Sequence, residues 1–65
     1  MQTLEYYETR ARQMPIEHLL YAIRDVKETL ELWKSEPLSH PYVQKLYAEF
    51  DAYTVERNRR YSEAF

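Results

Sequence analysis

Glycine is absent from all 65 residues, and this limits the backbone more than any other feature of the chain. Tight hairpin turns, phosphate-cradling loops and dinucleotide-binding fingerprints all use conformations that glycine supplies. What remains is a chain of helix formers punctuated by three prolines. Pro15 suits the first turn of a helix, where its missing N–H would lack a partner anyway, and Glu17 favours the same start through the helix dipole. Pro37 stops that helix, because the residue before a proline is pushed out of helical conformation. Pro41 opens the next, with Ser39 or His40 at the cap position. The pattern predicts an all-α chain with helices over about 3–13, 15–35 and 41–61, the long pair joined by "SEPLSHP".

Within the first long helix, Ile16, Ile23 and Leu30 recur every seven residues, as do Leu19, Val26 and Trp33. Val43, Leu46, Tyr47, Phe50 and Tyr53 follow the same rule in the second. Two heptads are too few for an extended coiled coil, and Leu20 and Ala22 widen the stripe to the width a bundle needs. A short turn makes the two helices antiparallel neighbours. Folding about Leu38 sets Trp33 near Val43, Leu30 near Leu46, Val26 near Phe50 and Ile23 near Tyr53.

Two helices form a ridge and not a core. The short first helix offers Leu4, Tyr7, Ala11 and Met14 at helical spacing and folds back from Pro15 over the pair, as far as about Arg24, with Tyr21 within its reach. The distal end around Trp33, Val43 and Tyr47 then lacks a third layer. A chain this short buries only ~60% of the surface its unfolded form exposes. With no cysteine, disulfides and thiolate metal sites are excluded. Self-association or a partner is the remaining source of cover. The expected architecture is a single helical domain over 1–65: a long antiparallel helical hairpin with a short N-terminal helix, paired as a dimeric four-helix-type bundle.

Nine Lys+Arg stand against eleven Asp+Glu, a net charge of −2, which lacks the basic excess of a protein that coats a phosphate backbone. No apolar run is long enough for a membrane span or a signal-peptide core, so a cytoplasmic location is expected. His18 and His40 lie far apart and no Glu-x-x-His pair occurs, so neither a metal nor another cofactor is expected. The carboxylate pairs Asp25/Glu28 and Glu5/Glu8 lie on polar helix surfaces without a pocket to shift their pKa values. An enzyme is therefore not the expectation, since catalysis needs the whole constellation of groups.

Seven tyrosines favour contact, because the ring is apolar and the hydroxyl tolerates water. The candidate partner-binding residues are Tyr21, Leu32, Trp33, Val43 and Tyr47. Tyr21 and Leu32 lie on the back of the first long helix, where charged residues would be routine. A second candidate is the fanned cluster Arg57, Arg59, Arg60 and Tyr61, an anion or nucleic-acid site in one reading. In the other, these cations complement the helix dipole, with Glu56 pairing Arg60, Arg57 stacking on Tyr53 and Arg59 pointing away. The expected function is a small non-catalytic interaction protein, an adaptor, inhibitor or regulator of a size that suits a phage or accessory-gene product. Its partner is another protein, itself, or both, and it acts away from membranes. Nucleic-acid binding through the arginines and a structural assembly role are the alternatives.

Overall fold

The computed structural model describes residues 3–64 and contains three helices: α1 (Leu4–Gln13), α2 (Ile16–Leu32) and α3 (Pro41–Ala64). The all-helical expectation holds, and the domain range 1–65 extends past the described residues only at 1, 2 and 65. Each boundary has a local cause. Thr3 caps α1, its hydroxyl oxygen accepting from the Tyr6 N–H at 3.2 Å, which satisfies one of the free donors of a helix start. Pro15 stands at the cap position of α2 rather than inside its first turn. Its carbonyl accepts from the Leu19 N–H at 2.9 Å, so α2 begins one residue later than the proline rule alone implies. His40 caps α3 through Nδ1, which accepts from the Tyr42 N–H at 3.1 Å.

Helix α2 ends at Leu32 and not at 35. The Trp33 N–H is shared between the Thr29 and Leu30 carbonyls at 3.1 and 3.2 Å. The chain then leaves the helix at Trp33, placing the indole against the His40 and Tyr42 rings at 5.2 and 4.7 Å between centroids. Tertiary packing of one aromatic ring overrides the helix propensity of Lys34 to Glu36. At the other end α3 continues to Ala64, three residues beyond expectation, and Arg59 bridges Glu56 and Glu63 along that last stretch.

The core is one cluster: Tyr7 and Ala11 from α1, Leu19, Ile23 and Val26 from α2, and Leu46, Ala52 and Tyr53 from α3. Both α1 and α2 pack on α3, and they scarcely touch each other. The end of α2 lies beside the start of α3, where Trp33 meets Tyr42. The start of α2 lies beside the end of α3, where Arg60 reaches the Met14 carbonyl. Helix α1 therefore covers the Ala52/Glu56 side of α3 and not the back of α2. Among the described residues no helix is long and apolar enough to cross a membrane.

Candidate contact surface

The C-terminal arginines and the turn end of the α2–α3 pair turn out to be different kinds of place. Glu56, buried at 5% exposure, is the hub of the first. Arg59 donates to both of its carboxylate oxygens at 3.0 and 2.6 Å, and Arg60 donates through Nε to Oε2 at 2.7 Å. The bonds from Arg59, against the opposing effect of burial and with help from Arg60, pull the Glu56 carboxyl down to about 2. Arg59 itself stays exposed, pointing away from the core as expected, while its guanidinium reaches along the helix surface to Glu56 and Glu63. Arg60 Nη2 also donates to the carbonyls of Met14, Ala11 and Arg12 at 2.7, 3.0 and 3.4 Å. All three lie at the C-terminal end of α1, where carbonyls run short of intrahelical donors; the Ala11 carbonyl also accepts from the Met14 N–H at 3.2 Å. A cation there complements the negative end of the helix dipole, so Arg60 clamps α1 onto α3.

Arg57 is half-buried and donates to Asn58 Oδ1 at 3.2 Å, not to the ring of Tyr53. Tyr53 is fully buried, and burial raises its hydroxyl pKa. The cation–π contact among the described residues is Lys45 over Tyr42, 5.5 Å from the ring centroid. Lys45 also pairs with Glu49 at 2.7 Å, and that hydrogen bond raises its pKa. Tyr61 stays exposed beside the arginines. The cluster thus has internal partners for Arg59 and Arg60: the Glu56–Arg60 pair is the one spacing implied, while the Arg60 contacts to the end of α1, which span 46 to 49 residues, were beyond its reach.

At the turn end, three of the five expected contact residues gather. Trp33, Val43 and Tyr47 line one groove of about 260 Å³ with Leu30, Leu38 and Phe50, and Lys27, Lys34, Glu31 and Glu36 form its rim. Val43 is buried and forms the floor, Trp33 is half-buried, and Tyr47 and Leu38 stand 49% and 70% exposed. The rim charges balance, two cations against two anions, with Lys34 and Glu31 3.9 Å apart. Leu38 was legible only as a turn residue, because nothing in the spacing places a loop side chain beside two helix faces.

Tyr21 and Leu32 fall elsewhere. They are 72% and 82% exposed, since α1 packs on α3 and leaves the back of α2 bare. Eleven residues at 1.5 Å separate them by ~16 Å, and the surface beside Tyr21 is lined by Arg24, Asp25 and Glu28, of which Arg24 and Glu28 are paired at 3.2 Å. They are two isolated apolar points on a polar face, which a soluble surface commonly carries. The turn-end groove is the continuous feature. No protein-family model matches this chain, and neither curated proteins nor solved structures give a match to it.

Proposed function

We propose that this chain is a non-catalytic protein–protein interaction module of the cytoplasm, an adaptor, inhibitor or regulator that works by presenting the faces of an antiparallel α2–α3 hairpin. The observation that supports it is the turn-end groove: apolar walls from two helices, an exposed leucine at its lip and a rim whose charges cancel. An apolar centre within a polar rim is the anatomy of a contact surface, and a groove of this size takes one or two anchoring side chains, the kind that dominate binding energy. The hairpin also has the helix number and polarity to pair into a four-helix bundle.

The test is capture of partners by the immobilised chain, comparing wild type with Leu38→Glu and Tyr47→Glu. Both positions are exposed, so circular dichroism should be unchanged while the captured proteins disappear, and raising salt should leave wild-type capture intact. Variants that retain every captured protein would remove the groove from the account. Capture that collapses between low and moderate salt would point instead to nucleic acid, whose phosphates make affinity fall steeply with ionic strength.

A further inference from the structure

We infer that the groove is one end of a longer face, on which a second copy of this chain docks about a twofold axis passing near Ile23 and Thr54. The inference rests on the contact-module reading and names its partner. Helix α1 occupies the flank of α3 that carries Ala52 and Glu56, and the groove opens on the other flank. Heptad steps, which drift only ~20° each, carry the groove's walls down the whole pair. Leu30 leads to Ile23 and Ile16, Lys27 leads to Leu20, and Tyr47 leads to Thr54 and Tyr61. Four of these, Ile16, Leu20, Tyr47 and Tyr61, are large, apolar or aromatic, and exposed. The opposite side of α2 carries His18, Asp25 and Glu28, with Tyr21 and Leu32 as isolated apolar points among them.

Two features select a second copy as the occupant. One is area: the molecule measures 38 × 21 × 16 Å, so a long side projects about 600–800 Å², close to the ~800 Å² per partner of a standard interface. The other is self-complementarity, the requirement of an interface between identical chains, in which each contact occurs twice. Ile23 and Thr54 each stand seven residues from a like pair, Ile16 and Leu30 in α2, Tyr47 and Tyr61 in α3. Reversing one copy on the other sets Ile16 against Leu30 of the second copy, Tyr61 against its Tyr47, and the Lys27 stem over its Leu20. Apolar meets apolar at both ends. The groove's own rim is neutral, two cations against two anions.

The 65-residue chain in a dilution series, followed by light scattering, should show twice its 8.0 kDa mass. Leu20→Glu, at a position 40% exposed and so harmless to folding, should raise the dissociation constant about 30-fold or more, the effect of a central interface residue. The chain has no cysteine, so Thr54→Cys introduces a single thiol. On the twofold axis it meets its own copy, and it should form a disulfide-linked dimer far faster than Val55→Cys on the far side of α3. A mass of 8.0 kDa at every concentration overturns the pairing, as does a dimer that neither Leu20→Glu weakens nor Thr54→Cys links. If the chain is monomeric yet loses captured proteins on Tyr47→Glu, the groove remains a contact site and self-pairing alone fails.

Discussion

At one end of the α2–α3 pair, Arg60 ties α3 to α1 through a buried carboxylate and three backbone carbonyls; at the other, Trp33 packs on the His40 and Tyr42 rings at the edge of the core, and the groove beside it stays open. Both ends belong to a chain so short that it buries only ~60% of the surface its unfolded form exposes. The α1 end is covered within the chain, by a third helix folded over α3 and locked there with charge-assisted hydrogen bonds, which are stronger than neutral ones. The turn end leaves apolar surface open at Tyr47 and Leu38. The contrast separates residues that hold the fold from residues free to bind.

The largest effect should come from the middle of the closed region. Tyr53→Ala removes a fully buried ring where α1, α2 and α3 meet and should cost ~3–5 kcal/mol, measured by urea unfolding. In a protein of this size that leaves little folded chain. Arg60→Ala should cost about 2 kcal/mol, because it strips a charged donor from Glu56 and from the end of α1. Its particular sign would be faster amide exchange in α1 with α2 protected. If α1 and α2 loosened together, the clamp would not be what holds α1.

Acid sharpens the same contrast. The Glu56 carboxyl sits at about 2 in the folded protein, against an ordinary 4.5. A depressed folded pKa means stability that is fully present above about 4.5 and is lost as pH falls from there toward about 2. Solvent screening at the outer arginine reduces the loss to on the order of 1–2 kcal/mol, and Glu56→Gln should flatten that part of the pH profile. Smallest of all should be Leu32→Ser and Leu38→Ser, each within about 0.5 kcal/mol of wild type. A larger loss at Leu38 in dilute chain would mean that the turn end is packed and not open.

Where local rules decide, the sequence was readable. The prolines placed three helices to within about three residues, and heptad spacing found Leu19, Ile23, Val26, Leu46 and Tyr53 for the core. Spacing also brought Trp33, Val43 and Tyr47 to one groove. The early end of α2 was not readable, because a ring contact across the turn decides it. Nor was the choice of α3 over α2 as the surface that α1 covers, which a clamp across more than 40 residues fixes. That choice left Tyr21 bare and gave Arg60 its internal role. Periodicity reports which face of a helix is apolar, but not which neighbour will cover it.

Thermal unfolding of the wild-type chain, followed by the fluorescence of its single tryptophan over a wide concentration range, tests the central claim most directly. Trp33 lies in the open groove, so it reports on the end in question. If a neighbour completes this surface, the midpoint must climb as the chain becomes more concentrated, because association stabilises the folded form by mass action. A midpoint that stays fixed from the most dilute sample to the most concentrated would mean that three helices suffice, and the need for a docked second copy would be gone.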